Sequence, residues 1–132
     1  MNLILIFREQ FIINYLKDMS DLISIIIRTK NEEHWIGLCL KKIKIQSFKN
    51  YEVIIVDNKS IDSTIEKAKS IIPDVITCNI DEFKPGKALN LGIEKSNGEY
   101  IVCLSAHCIP ADENWLVNLY NEIKSDKMVA GV

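Results

Sequence analysis

The sequence has few of the features that mark membrane-spanning, secreted or nucleic-acid-binding proteins. None of its apolar runs approaches the roughly 20 residues that a helix needs to cross a bilayer. The apolar start at residues 1–7 lacks the basic segment and the small-residue cleavage site of a secretory signal. Lysines and arginines number 16 against 18 aspartates and glutamates, and the net charge of −2 gives no reason to expect nucleic acid as a partner.

Cysteine pairs of the Cys-x-x-Cys type are also absent, although the chain has four cysteines. Cys39 and Cys103 sit inside apolar runs, so we expect both side chains in the core. Scattered thiols without paired spacing are typical of proteins that are kept reduced. The sequence therefore favours a cytoplasmic location.

The composition is that of one globular domain. Hydrophobic residues make up 48% of the 132 residues and charged residues 26%. Met19 directly precedes the first convincing strand, so we expect it to be the natural start and residues 1–20 to be an N-terminal extension. A helix lying on a membrane surface is the alternative for this extension. The domain itself is expected to cover residues 21–132.

From Leu22 onward, strand-like segments alternate with helix-like segments. Strands are predicted at 22–29, 52–56, 74–77, 100–104 and 128–132. Helices are predicted at 34–46, around 61–72, at 87–95 and after Pro110. Strands and helices of this length in alternation predict a mainly parallel α/β sheet with right-handed crossovers.

Two of the predicted helices carry an apolar stripe that should face the sheet. The stripes consist of Trp35, Leu38, Cys39 and Ile43 in the first helix and Ile61, Ile65, Ala68 and Ile72 in the second. The first helix also has three lysines, Lys41, Lys42 and Lys44. These indicate a solvated face, with a basic membrane-binding patch as the alternative.

The carboxyl ends of the predicted strands carry the residues that could perform chemistry, because ligands of parallel sheets bind at that edge. The residues that should gather there are Arg28, Thr29, Lys30, Asn31, Asp57, Asn58, Ser105, Ala106 and His107. Asp57 can accept hydrogen bonds from a nucleobase or a ribose hydroxyl. An acid at this position can equally cap the following helix.

His107 and Lys87 are candidates for binding phosphate groups. A neutral imidazole can bind a divalent cation, which a diphosphate needs if no basic groups neutralise it. Lys87 stands at a predicted helix start, where free N–H groups suit a phosphate. Surface histidines and lysines without a role are the alternative in both cases.

Four segments carry a pattern that the alternation of strands and helices does not explain. They are Ile25-Ile-Ile-Arg-Thr-Lys-Asn-Glu32, Val53-Ile-Ile-Val-Asp-Asn-Lys-Ser-Ile-Asp-Ser-Thr64, Gly86-Lys-Ala-Leu-Asn-Leu-Gly92 and Asn97-Gly-Glu-Tyr-Ile-Val-Cys-Leu104. In this order they resemble family 2 glycosyltransferases from about Leu22 to Ile123. The resemblance implies a Rossmann-like GT-A three-layer sandwich, of which this chain would carry the nucleotide-sugar-binding portion.

The resemblance also implies roles for the edge residues. Asp57 and the turn at 29–32 would line the pocket of the nucleotide base, and Lys87 would lie near the nucleotide or its phosphates. The family has Asp-x-Asp after the fourth strand, where this chain has Ser105 and His107. The segment Ser105-Ala-His-Cys108 is similar to the Asp-x-His of polypeptide N-acetylgalactosaminyltransferases. His107 would thus bind Mn²⁺ or Mg²⁺, with metal-independent binding as the alternative.

The implied reaction is transfer of a sugar from a nucleoside diphosphate to a hydroxyl of a glycan or lipid-linked acceptor in cell-surface glycan synthesis. Because a lipid-linked acceptor lies in a membrane, peripheral association with the inner face of a membrane is also expected. The family's catalytic base lies in its C-terminal half, so we expect it beyond Val132 and expect the chain to be truncated. A non-catalytic nucleotide-binding remnant and a phosphoacceptor signalling domain built on Asp57 are the alternative functions.

Overall fold

The computed structural model describes residues 21–82, 84–126 and 128–132. Over these ranges four strands alternate with four helices: β1 (Ile23–Thr29), α1 (Ile36–Lys44), β2 (Tyr51–Asp57), α2 (Thr64–Ile71), β3 (Ile76–Asn79), α3 (Pro85–Glu94), β4 (Tyr100–Ser105) and α4 (Trp115–Ser125). None of these helices has the length and apolar character needed to span a bilayer. The predicted N-terminal extension at 1–20 lies outside the described residues.

The strands form one parallel sheet in the order β3-β2-β1-β4. The two central strands are buried over nearly their whole length, which is why their sequences read as continuous runs of isoleucine and valine. The chain moves from β1 outward to β3 and then returns to the other side of β1. The predicted parallel α/β sheet is therefore confirmed.

Helices cover both faces of the sheet and make it the middle of three layers. Alternate residues of β1, such as Ile25 and Ile27, pack with α1, α2 and α4 in the larger of two apolar clusters. Ile26 points to the opposite face and packs with Ile54 and with Ala88 of α3. Both clusters are needed, because a strand buried on two sides must be covered twice.

The apolar stripes of α1 and α2 differ from the predicted ones. On α1 the buried residues are Ile36, Cys39, Leu40 and Ile43, which follow helical spacing. Trp35 and Leu38 lie beside this stripe and are about half exposed, at 50% and 46%. Ile61 is 91% exposed because α2 begins only at Thr64, so Ile61 belongs to the preceding loop.

The expectation that Cys103 lies in the core is wrong. β4 pairs only with β1 among the described strands and forms one edge of the sheet. Tyr100, Val102 and Leu104 pack on the larger cluster, whereas Ile101 and Cys103 point to the other face and are exposed. Cys39 is buried as predicted, and burial raises the pKa of its thiol to about 11.

The predicted fifth strand at 128–132 is also wrong. The backbone turns at Asp126, whose carboxylate and carbonyl accept hydrogen bonds from the N–H groups of Met128 and Val129. The residues that follow line an apolar groove beside β4 and α4 without joining the sheet. Of residues 128–132 only Val129 is partly buried, so this apolar run stays largely exposed.

A polar cluster fixes the amino edge of the sheet, opposite the candidate site. Glu52 accepts hydrogen bonds from the Ser24 hydroxyl at 2.5 Å and from the Asn97 backbone N–H at 2.6 Å. Burial opposes ionisation of Glu52, but these hydrogen bonds outweigh it and hold its pKa below the usual range. Gly98 closes the cluster, since a Cβ there would lie 2.4 Å from Ser24 Oγ. Glycine at position 98 is therefore a packing requirement.

Gly92 lets α3 approach β1 closely, and its substitution should cost stability. A Cβ at Gly92 would lie 2.4 Å from Cγ2 of Ile26, which is fully buried and cannot move aside. We expect Gly92→Ala to lower the free energy of unfolding by about 1–3 kcal/mol, the usual cost of overpacking. Urea denaturation measures this change.

Gly86→Ala is the matched control, because Gly86 lies on the same helix and a methyl group added to it would meet no other part of the fold within 4 Å. Both substitutions share the gain in helix propensity, about 1 kcal/mol at most. We expect Gly86→Ala to be neutral or slightly stabilising. Equal stability of the two variants would show that the contact between α3 and β1 is not tight.

Candidate functional site

The carboxyl ends of β1, β2 and β4 meet at one edge of the sheet. Thr29 stands beside Asp57 of β2, and Arg28 stands beside Ser105 of β4. The ends of these strands and the loops that follow them carry all the predicted site residues except Lys87. The edge rule for parallel sheets therefore brings Asp57 and His107 to the same side of the molecule.

Asp57 is buried and fully engaged in hydrogen bonds. Its Oδ1 atom accepts from the hydroxyls of Thr29 and Ser60, each at 2.6 Å. Its Oδ2 atom accepts from the Ser60 backbone N–H at 2.7 Å. With 2% of the residue exposed, Asp57 shapes the turn after β2 and ties it to β1. A contact with a nucleobase stays a prediction.

Two residues in left-handed backbone conformation let the loops after β1 and β2 run side by side. Asn31 and Lys59 each have φ of 52°, a region that asparagine tolerates better than most residues. Asn31 donates its backbone N–H to Ser60 Oγ, and its Oδ1 accepts from the Ile61 N–H. Lys30 adds hydrogen bonds from its ammonium group to the carbonyls of Asn58 and Lys59. The side chain of Asn31 thus stabilises the loop pair.

Asp62 and Thr64 connect the start of α2 to the loop before α1. The carboxylate of Asp62 accepts from the backbone N–H groups of Thr64, at 3.0 Å, and Glu33, at 3.1 Å. Thr64 accepts from the N–H of Glu32 and donates its hydroxyl to Asp62. Asp62 thus accepts from the first N–H of α2, whereas Ser60 serves the loop pair. The Ser-x-Asp-x-Thr segment therefore positions Glu32.

A small open cleft of about 110 Å³ lies between the ends of β1 and β4. Its lining consists of Arg28, Thr29, Lys30, Glu32, Ser105 and His107. His107 Nδ1 lies 3.1 Å from Glu32 Oε1, so a residue after β4 meets one from the loop after β1. Ala106 is fully buried and donates its N–H to the carbonyl of Arg28, which makes it a packing residue whose side chain cannot reach a ligand.

Arg28 is expected at this edge from the sequence and lines the cleft, but sequence reasoning assigns it no role in the site. Its Nη2 donates to Ser105 Oγ at 3.1 Å. Its Nε is buried and has no hydrogen-bond partner among the residues that the structure describes. A charged group one residue before the end of an otherwise apolar strand was the available signal. The β4 partner at its side could not be read from the sequence, because it depends on sheet order.

Lys87 is not brought into the cleft. Its Nζ lies 3.7 Å from Glu82 Oε2, and Lys84 reaches the other oxygen of the same carboxylate at 3.0 Å. The loop that precedes α3 follows β3, and Asp81 in this loop pairs with Lys59. Lys87 therefore lies at the β3 side of the same edge, on a solvent-exposed surface.

The family model of Glycosyl transferase family 2 matches residues 24–132. The chain belongs to this family. Among curated relatives, it is 34% identical over 121 residues to the dolichyl N-acetyl-alpha-D-glucosaminyl phosphate 3-beta-D-2,3-diacetamido-2,3-dideoxy-beta-D-glucuronosyltransferase of Methanococcus voltae. That alignment covers 83% of this chain and 37% of the relative.

Solved glycosyltransferase structures have the same fold. The mannosyltransferase PcManGT of Pyrobaculum calidifontis, in complex with GDP-Man and Mn²⁺, superposes with a TM-score of 0.72 at 24% identity, over 81% of this chain and 33% of that one. TarS of S. aureus, in complex with UDP-GlcNAc, gives 0.70 at 22% identity, over 78% and 31%. The GT-A fold expected from the sequence is confirmed, and the chain spans about a third of the length of these proteins.

The donor groups of the cleft suit a divalent cation that is shared with a ligand. In residues 21–82, 84–126 and 128–132, no group of three or more His, Cys, Asp or Glu side chains could hold a metal ion by itself. Glu32 and His107 nevertheless supply a carboxylate and an imidazole whose atoms lie 3.1 Å apart. Both groups bind divalent first-row metals. Phosphate oxygens and water would have to provide the remaining ligands.

Loss of the Asp57 carboxylate should destabilise the protein even without a ligand. In Asp57→Asn one acceptor oxygen becomes an N–H₂ group, which faces the donors of Thr29 or Ser60 and leaves them unsatisfied. We expect the free energy of unfolding to fall by about 1–3 kcal/mol. Urea denaturation in nucleotide-free buffer checks this, with exposed Asp81→Asn as the control that should change it by less than about 1 kcal/mol. An unchanged Asp57→Asn stability would mean that the carboxylate does not hold the loops.

Proposed function

We propose that the chain binds a nucleoside-diphosphate sugar at this edge of the sheet, as the donor-binding part of a glycosyltransferase. The observation that carries the proposal is the contact between His107 and Glu32, at the place where the family has its Asp-x-Asp motif. The names of two related structures support it, since one contains GDP-Man and the other UDP-GlcNAc. The whole protein would transfer the sugar to an acceptor hydroxyl.

The charges of the cleft favour a diphosphate. Arg28 and Lys30 bring two positive groups to the lining, against one carboxylate from Glu32. Lys30 is held in place by two backbone carbonyls, so its charge is fixed near the cleft. A diphosphate at this position would lie beside the ends of β1 and β4, with the sugar directed away from the sheet.

A divalent cation, Mn²⁺ or Mg²⁺, would be held by Glu32 and His107. When bound, it would neutralise charge on the diphosphate and so favour its departure. Glu32 supplies the carboxylate that Ser105 does not, because its backbone N–H is fixed by Thr64 and its side chain reaches the imidazole. Within the described residues His107 makes a side-chain contact through Nδ1, and 58% of its side chain is exposed.

The nucleoside would lie on the β2 side of the diphosphate. Thr29 and Asp57 are buried there and shape the loops, while Asn31 and Asn58 are more accessible. Lys87, on the rim formed by α3, could reach a bound nucleotide after leaving its weak pairing with Glu82. Asp57 would thus act mainly by holding its neighbours in place.

The proposed acceptor is a sugar attached to a lipid carrier. The relative from Methanococcus voltae is named for action on a dolichyl-linked sugar phosphate. Among the described residues we assign no catalytic base, and we place it beyond Val132. A lipid-linked acceptor would place the proposed sugar transfer at the cytoplasmic face of a membrane.

Peripheral membrane association is supported by the outer face of α1. Leu38 and Lys41 are exposed on this helix, and Trp35 and Ile45 are exposed at its two ends. Aromatic and aliphatic side chains flanked by lysine suit the interface of an anionic bilayer. We therefore propose that this face rests on the membrane.

Calorimetric titration of the 132-residue chain with UDP-GlcNAc, GDP-mannose and dTDP-glucose tests donor binding. We expect one of these to bind, and Mn²⁺ to raise its affinity at least roughly tenfold over EDTA. Glu32→Gln and His107→Ala should each remove the increase. His34→Ala is the matched control, since this exposed histidine makes no hydrogen bond or ion pair within the described ranges. Failure of all three donors to bind would refute the proposal, and an intact Mn²⁺ effect in both variants would refute the metal position.

Sedimentation with lipid vesicles tests the membrane contact. The protein should bind vesicles containing phosphatidylglycerol better than neutral ones, because each lysine near an anionic surface contributes about 1 kcal/mol. Lys41→Ser and Leu38→Ser should each weaken binding several-fold. Lys69→Ser, on α2, is the control. Equal binding to both kinds of vesicle, or none, would contradict the proposed orientation.

A further inference from the structure

Arg28 lies next to position 105, where this chain lacks the carboxylate of the family's metal motif. Ser105 stands where the family has the first Asp, and β1 and β4 are in register so that Arg28 lies directly beside it. The guanidinium donates from Nη2 to the Ser105 hydroxyl at 3.1 Å. A positive group of this chain therefore sits beside the position where the family motif has a carboxylate.

Most N–H donors of Arg28 have no partner among the described residues. A guanidinium has five N–H donors, and Ser105 is its one partner in the part of the chain that the structure describes. Its Nε is buried without a partner, which is uncommon for a polar atom in a folded protein. Lys30, the other cation of the cleft, is already committed to the carbonyls of Asn58 and Lys59. Arg28 is thus the cation with donors to spare.

We propose that Arg28 binds the diphosphate of the donor and supplies enough positive charge for binding without a divalent cation. This inference rests on the proposed function. A guanidinium can bind two phosphate oxygens at once through parallel N–H donors, which gives it both charge and orientation. Its Nε is buried and its Nη2 is bound to Ser105, so the side chain already lies against the cleft before a ligand binds.

The serine at position 105 is part of the same arrangement. A carboxylate there would take the guanidinium as an ion-pair partner and cancel its charge. The neutral hydroxyl of Ser105 instead accepts one hydrogen bond and leaves the charge available to a ligand. A cation at Glu32 and His107 would then add to affinity without being required.

The test compares affinities for a nucleoside diphosphate and its nucleoside, in EDTA and in Mn²⁺. UDP with uridine, GDP with guanosine and dTDP with thymidine are titrated into the full 132-residue chain, and the pair that binds is used. In EDTA the wild type should bind the diphosphate at least about tenfold more tightly than the nucleoside. Arg28→Met should abolish this preference and leave nucleoside affinity unchanged, which also shows that the variant is folded.

Two further variants keep the test decisive if Arg28→Met does not fold. Arg28→Lys retains the charge without the planar fork and should keep part of the preference. Ser105→Asp should lose the preference in EDTA and regain it in Mn²⁺, because the new carboxylate neutralises Arg28 and can bind a metal. Lys69→Met, an exposed lysine on α2, is the control for loss of a positive charge.

The outcomes separate this inference from the proposed function. A wild type that binds the diphosphate only in Mn²⁺ overturns the role of Arg28 and leaves donor binding intact. The same follows if Arg28→Met or Ser105→Asp keeps the full preference in EDTA. A wild type that binds no nucleoside diphosphate under either condition overturns the proposed function, and the inference with it.

Discussion

The buried carboxylate of Asp57 is the constraint on which the candidate site depends. A charge that is 2% exposed is tolerated only when hydrogen bonds satisfy it, and three do so, from Thr29 and Ser60. These bonds force the loops after β1 and β2 together. Ser60 then accepts from Asn31, and the loop after β1 is held at the height where Glu32 reaches His107. Asp57, at the end of β2, thus determines where Glu32 after β1 meets His107 after β4.

The sequence predicts the fold correctly where the apolar pattern of a strand or helix is enough to show how it is buried. The unbroken apolar runs of β1 and β2 can exist only between two layers, so they reveal a parallel sheet. Burial at an edge depends on neighbours instead. Cys103 and Ile101 are as apolar as the residues around them, yet no described helix covers their face of β4. Ile61 lies in a loop because the start of α2 is set by loop hydrogen bonds that periodicity does not reveal.

The same distinction applies to the site. Topology alone places Asp57 and His107 at one edge, because parallel strands end on the same side. Which side chains touch there depends on register and sheet order, and these are long-range properties. Arg28 meets Ser105, 77 positions away in the sequence, and Glu32 meets His107 across 75. Ala106 shows the converse: it lies within the predicted motif, but its backbone bond to Arg28 turns its side chain into the core.

These contacts change how the departure from the family motif is understood. Taken alone, a serine in place of aspartate removes one negative charge and weakens a metal site. In the structure, Glu32 provides a carboxylate from the opposite loop, and Arg28 provides a positive charge beside the serine. A phosphate needs positive charge, which a bound cation or a fixed guanidinium can equally supply. Since the two lie in one cleft, loss of the carboxylate at position 105 favours the guanidinium, because only a neutral neighbour leaves its charge free for a ligand.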